Sequence, residues 1–430
     1  MTLLLNRRSL IGSAALLSGG AAMPAFARTK LRGVSNTWPT IQAYLDETVA
    51  RKYVPGTAAS VARGLDQADF MVSGRLSQDP ASAVITPDSL YRAYSMTKPI
   101  TGMAAMMLIE DGKMKLDQNI ADFLPAFANM RVMIDGTKSL ASRPSQTPIT
   151  IRTLLTHTAG LGYSIITKGP LLDAYLKNGI VPGAVSRSQL PGQQKVEVAP
   201  SLAEFADRLA TLPLIADPGV RWSYSISLDL LGRVIEVVSG MPFDEFLQKR
   251  IFTPLGMTSS FFQVPASETY RLTTNHAAVG TATFPIDPGS ASVFSDKPAF
   301  PFGGAGLVTS MRDYDRFQLM LMGDGAIGQT RVMARNTARI AMSNLVHPDT
   351  KMESWVTGQG FGAGGVVSLA TGPEGEGAGT FGWGGAASTN AWVDRTRGVR
   401  TTCWTQIMTQ GGQPFTVGYR KAFYAALKQA

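Results

Sequence analysis

The chain has 430 residues, 44% of them hydrophobic and 17% charged, enough apolar material for a substantial core and a composition that excludes intrinsic disorder. Its formal charge of +9 comes from scattered basic residues with no run interleaved with aromatics, which argues against a nucleic-acid groove. Cys403 is the one cysteine, so no internal disulfide forms; His157, His276 and His347 show no metal-type spacing, and no metal or cofactor is expected.

Residues 1–27 read as an exported leader. Asn6-Arg7-Arg8-Ser9 precedes an apolar run over 10–22, and Ala25-Phe26-Ala27 fits a signal-peptidase site. The paired arginines suggest the twin-arginine route, so the mature chain is expected to be periplasmic or secreted, with no membrane anchor. Removing Arg7 and Arg8 without any acid lowers the formal charge from +9 to +7. Cys403, in an apolar stretch, is expected to be a small buried strand residue.

Ile41, Leu45, Val49 and Tyr53 recur every four residues and predict an amphipathic helix over 40–53, stopped by Pro55-Gly56. Strands are expected at 57–62, 70–72 and 89–93, followed by a helix over 101–116. The middle of the chain predicts helices at 151–155, 201–212, 228–238 and 243–250, with long connections at 136–148, 179–200 and 284–301 of the kind that line clefts. A short strand, a helix over 311–322, a glycine-rich stretch over 358–385, a hairpin of 388–393 with 399–405 and a helix near 415–427 complete the pattern.

Strands gathered at both ends with helices between them predict an α+β fold: one antiparallel sheet flanked by helices, with a mostly helical insertion. The expected division is a sheet domain of 28–115 and 301–430 and an inserted domain of 116–300.

Tyr94-Ser95-Met96-Thr97-Lys98-Pro99 carries the chemistry. Proline is tolerated only near the first turn of a helix, so Pro99 places the helix start close to Ser95. Ser95 and Lys98 then share one face, at the positive end of the helix dipole. A serine needs a neighbouring base to become a nucleophile, and this spacing supplies an amine. A chain of this length holds about one S-x-x-K by chance, and a capping serine with a solvated lysine explains it equally well. Two further segments matter. Tyr224 follows the turn Asp217-Pro218-Gly219 on a loop that can aim its phenol into a cleft, unless it is merely a core aromatic. Trp383-Gly384-Gly385 leads into the C-terminal hairpin, where paired glycines allow a close approach to the backbone or only a flexible turn.

In order and spacing, Ser95 to Lys98, Tyr224-Ser225-Ile226 and Trp383-Gly384-Gly385 together resemble the serine β-lactamase and penicillin-binding superfamily. The class C-like branch of family VIII carboxylesterases is the nearest likeness. Segments 149–161, 254–257 and 303–307 look like the same family, so the resemblance covers almost the whole mature chain. It implies an acyl-enzyme on Ser95, with Lys98 and Tyr224 moving its proton. It further implies an oxyanion hole from the backbone amides of Ser95 and Ala386, and substrate binding at Trp383, Gly384 and Gly385. His157 reads as structural.

Two departures from the family pattern separate its branches. Ile226 stands where class C β-lactamases place an amide-binding asparagine, and Trp383 replaces the lysine that favours a substrate carboxylate. Both favour short- to medium-chain uncharged esters, with acyl transfer to alcohols as a second outcome. A β-lactamase or D-alanyl peptidase, and a non-catalytic penicillin-sensor-like envelope binder, are the alternatives.

Overall fold

The computed structural model describes residues 37–187, 196–280, 282–409 and 412–429; the leader expected at 1–27 lies outside them. Side chains alternate between the two faces of a strand. The strand β1 (Gly56–Arg63) is buried at every position but the last, so it needs a packed layer on both sides. Six strands join it: β2 (Asp69–Gly74), β3 (Gln359–Phe361), β4 (Val366–Ser368), β5 (Phe381–Gly385), β6 (Thr389–Asp394) and β7 (Val399–Trp404). The sheet is antiparallel throughout and runs β3-β4-β5-β6-β7-β1-β2. The β7–β1 pairing joins segments more than 300 residues apart in the chain, with Ser60 opposite Thr402 and their hydroxyls 2.7 Å apart.

The main helices are α1 (Pro39–Ala50), α2 (Thr97–Glu110), α3 (Ser227–Ser239), α4 (Met311–Met322) and α5 (Pro414–Gln429). On one face α1 and α5 contribute Ile41, Leu45, Phe415, Tyr419 and Phe423, which pack with Ala59, Val61, Trp392 and Cys403. Full burial of one such large apolar side chain stabilises by about 1.5–3 kcal/mol. The opposite face sends Ala58, Ala391, Val393 and Trp404 into the larger core, shared with α2, α3 and α4. There Gln318 donates to the carbonyls of Trp392 and Thr401 (3.0 and 2.9 Å), tying α4 to the sheet.

The strand expected at 89–93 forms as Leu90–Arg92, but in a separate small sheet. It pairs with Val308–Ser310, which also pairs with Ser260–Phe261. This pairing sets residues 93–97 alongside 303–307, and Ala93 N–H donates to Leu307 O at 2.9 Å.

Several elements differ from expectation. The first helix stops at Ala50 rather than 53, because the chain turns through Lys52 at φ +57°. The second begins at Thr97, not 101, and ends at Glu110, not 116; Gly112 at φ +70° ends it, and Met114 is buried from a loop. The expected helix over 243–250 is Phe243–Leu247 followed by a wider turn over Gln248–Phe252. The glycine-rich stretch contains three strands of the main sheet, and part of the connection expected at 284–301 is the strand Ala282–Asp287. Among the described residues no helix is long and apolar enough to cross a membrane.

Candidate active site

The nucleophile turn is a single 3-10 turn, Tyr94–Met96, running directly into α2. Tyr94 has φ +45°, a left-handed conformation that costs a side-chain-bearing residue about 1–2 kcal/mol. Three bonds hold it: Thr97 Oγ1 donates to Tyr94 O (2.6 Å), Asn275 Nδ2 donates to the Tyr94 hydroxyl (2.9 Å), and Ala93 N–H reaches Leu307 O. Ser95 is thereby presented, half-buried, at the start of α2.

One turn further on, Lys98 is completely buried. Its Nζ donates to Ser95 Oγ at 3.1 Å and to Gly304 O at 2.8 Å, and it lies 4.7 Å from the ring centre of Tyr224 and 5.3 Å from that of Tyr163. A lysine amine taken from water requires such partners. Behind it stands Asp229, on the first turn of α3 and fully buried. Asp229 Oδ1 accepts from Gly304 N–H at 2.9 Å, so the Gly304 backbone meets the carboxyl through its N–H and the Lys98 amine through its carbonyl. Only glycine fits there, since a Cβ would sit 2.4 Å from Asp229 Oδ2. Burial pushes the Asp229 carboxyl up to about 6, against the pull of Lys98 and the Gly304 N–H. Sequence reading missed Asp229. Its signal was a lone acid among Ile226, Leu228, Leu230, Leu231, Val234 and Ile235.

Tyr224 arrives from the opposite side. Its loop is fixed by Trp222 N–H to Lys351 O (2.9 Å), Ser223 N–H to His157 O (2.9 Å) and Ile226 N–H to Gly162 O (3.1 Å). The phenol donates to Ser95 Oγ at 2.6 Å, so amine and phenol converge on the same oxygen. His157 and Tyr163 pack edge-on against the Tyr224 ring at 4.9 and 5.1 Å, which sets its direction. His157 Nδ1 accepts from Ser225 N–H at 3.2 Å and contacts Ser225 Oγ at 2.9 Å. Burial, and then Lys98, push its pKa well below the usual value, so it stays neutral. Ile226 is fully buried and cannot face a bound amide.

The third wall is β5. Trp383 Nε1–H donates to the Tyr224 hydroxyl at 3.4 Å, and its ring meets Phe361 edge-on at 5.2 Å. At Gly385 a Cβ would lie 2.2 Å from Ala93 O, so this glycine lets β5 touch the nucleophile turn. At Gly384 the nearest atom to such a Cβ is Thr389 O at 3.1 Å. Ala386 follows at the strand end, exposed, before a turn that reverses through Ser388 at φ +58°. Among the described residues no group of three His, Cys, Asp or Glu side chains is placed to hold a metal ion.

A serine hydroxyl held between a buried lysine and a tyrosine, at the edge of an antiparallel sheet layered by helices, defines a β-lactamase-like fold and site. The chain belongs to the Beta-lactamase family, whose sequence model matches residues 41–425. It is 33% identical over 317 residues to Protein Rv1367c of Mycobacterium tuberculosis, covering 70% of this chain and 73% of that one. It is 28% identical over 404 residues to Esterase EstB of Burkholderia gladioli, covering 90% and 94%. Among solved structures, EstCE1, described as a hydrolase with promiscuous acyltransferase activity, superposes with a TM-score of 0.72 at 25% identity, over 90% of this chain and 98% of that one.

Proposed function

We propose that this protein is a serine carboxylesterase that cleaves short- to medium-chain esters through an acyl-enzyme on Ser95 and also passes the acyl group to alcohols. The observation that carries the reading is the meeting of Lys98 Nζ (3.1 Å) and the Tyr224 hydroxyl (2.6 Å) on Ser95 Oγ. In the reactive form the Tyr224 oxygen, unprotonated with Lys98 beside it, takes the Ser95 proton, and Oγ becomes nucleophilic. Attack forms the Oγ–C bond; collapse of the tetrahedral oxyanion breaks the C–O bond to the alcohol, which takes the proton from Tyr224. Water or a second alcohol then repeats the sequence in reverse. The amides of Ser95 and Ala386 are the proposed oxyanion donors, with Trp383, Gly384 and Gly385 against the substrate.

The choice of esters rests on the buried Ile226 and on Trp383, an aromatic donor standing where a carboxylate-binding lysine would favour penicillins. The esterase name of EstB and the acyl-transfer description of EstCE1 support it. Turnover of a nitrophenyl ester that exceeds turnover of a chromogenic cephalosporin, and that falls by at least about 10³-fold in Ser95→Ala, is the expected result. Faster cephalosporin cleavage, or a Ser95→Ala variant as active as the parent, refutes the reading.

We further read residues 116–300 as an inserted helical domain that delivers Tyr224 to a sheet domain carrying Ser95, Lys98 and Trp383. Export by a twin-arginine leader over 1–27, to the periplasm or beyond, is supported by Arg7-Arg8 and the apolar run behind them. Fractionation of cells expressing the Arg7→Lys, Arg8→Lys variant should find it retained in the cytoplasm, and undiminished export overturns the route.

A further inference from the structure

One cavity, of about 280 Å³, adjoins the site without being used by the chemistry above. Its position is fixed at two points of the chain. Tyr94, which lines it, is joined to the nucleophile, and Ala305 and Gly306, which also line it, follow the Gly304 carbonyl that holds Lys98. The cavity wall is thus one residue along the chain from Ser95 and from Gly304, although Ser95 and Lys98 do not themselves line it.

Its walls are apolar and braced. Phe262 is backed by Phe243 (5.8 Å between rings), and Phe302 by Phe300 (4.1 Å), itself backed by Phe205 (5.4 Å). Phe294 meets Tyr94 edge-on at 6.0 Å and carries the Arg92 guanidinium at 5.6 Å. Arg92 is in turn bonded to Asp287, Thr273 O and Ser292, so this wall is anchored in buried polar structure. Gly306 has no room for a side chain, since a Cβ would lie 2.9 Å from Phe302 O and 3.0 Å from Phe262. Rings stacked two deep do not collapse inward, so the space is preformed. The charged lining residues Asp296 and Lys297 are exposed at the mouth, and Asp296 is paired with Arg187.

Resting on the esterase reading, we infer that this cavity is the acyl pocket and that it selects esters of a neutral, apolar acyl group of roughly eight carbons, at ~30 Å³ per water-sized group. The acyl group stays bonded to Ser95 through both half-reactions while the alcohol departs. A preformed pocket walled by the residue next to Ser95 suits the part that stays. An acetyl group leaves this space empty and gains nothing from its walls.

The test compares nitrophenyl octanoate with nitrophenyl acetate, and octyl acetate with ethyl acetate, in the parent and in Ala299→Trp, a change at an exposed residue of the cavity lining. The parent should prefer octanoate over acetate by more than about tenfold in kcat/KM, and Ala299→Trp should remove that preference by lowering kcat/KM for octanoate. An unchanged octanoate preference in Ala299→Trp, or a loss confined to octyl acetate, overturns the acyl assignment. Binding of octanamide to Ser95→Ala, read as a rise in Tm, separates this from failure of the esterase reading. A rise abolished by Ala299→Trp supports the pocket whatever the turnover, and no rise in Ser95→Ala refutes it.

Discussion

Asp229 is a residue whose environment and charge conflict. Its carboxyl is fully buried, bonded by Gly304 N–H at one oxygen, and raised to about 6 by burial. A raised carboxyl holds its proton more tightly in the folded than in the unfolded chain, where it titrates near 3.8. Folding is therefore not penalised by this group below about pH 4, and ionisation costs stability progressively between about pH 4 and 6, on the order of 3 kcal/mol in all. Asp229→Asn keeps an acceptor for Gly304 but cannot ionise. Urea denaturation should find parent and variant nearly equal at pH 4 and the variant favoured by up to about 3 kcal/mol at pH 7. An equal difference at both pH values refutes this account. The parent accepts that penalty to keep a negative charge behind Lys98, so the variant should be the more stable and the less active protein.

At the scale of elements, β5 both links β4 to β6 within the sheet and touches the nucleophile turn. Gly385→Ala would place a methyl 2.2 Å from Ala93 O, and backbone atoms cannot yield as a flexible side chain does. The strain falls on the strained turn at Tyr94, and a displacement near 1 Å at a reacting group costs on the order of 10²-fold in rate. We expect kcat on a nitrophenyl ester to fall by about that factor, with a modestly lower Tm; an unchanged kcat would remove β5 from the positioning of Ser95. The same element shows what sequence patterning can and cannot reveal. Ser95, Lys98, Tyr224 and Trp383 were legible because each sits in a short motif of fixed order. The antiparallel sheet was legible from strands at both chain ends, where β-branched and aromatic residues cluster. β3, β4 and β5 were not, because glycines interrupt their few strand-forming side chains, among them Val366, Val367, Phe381 and Trp383, and hide the alternation, so pairing depends on neighbours supplied by the fold. Asp229 and the aromatic cavity were hidden for a related reason: each depends on contacts between segments far apart in the chain.

The whole molecule is closed by its ends. β1 is held between β2 and β7, and α1 packs with α5 over the same face, so the last strand and helix complete a core begun at residue 38. Contacts spanning more than 300 residues must form before that layer exists, and no part of it is expected to persist without the rest. Cys403 lies at the middle of this seam, wholly shielded, with burial driving its thiol strongly towards the uncharged form against the opposing Arg420. The thiolate is the reactive species, so a disulfide reagent should modify the native protein only as fast as the terminal layer opens and label it at once in denaturant. Immediate stoichiometric labelling of the native protein would contradict the closure. A lone thiol thus gives this chain an intrinsic clock for its rarest excursion, readable without any added probe site.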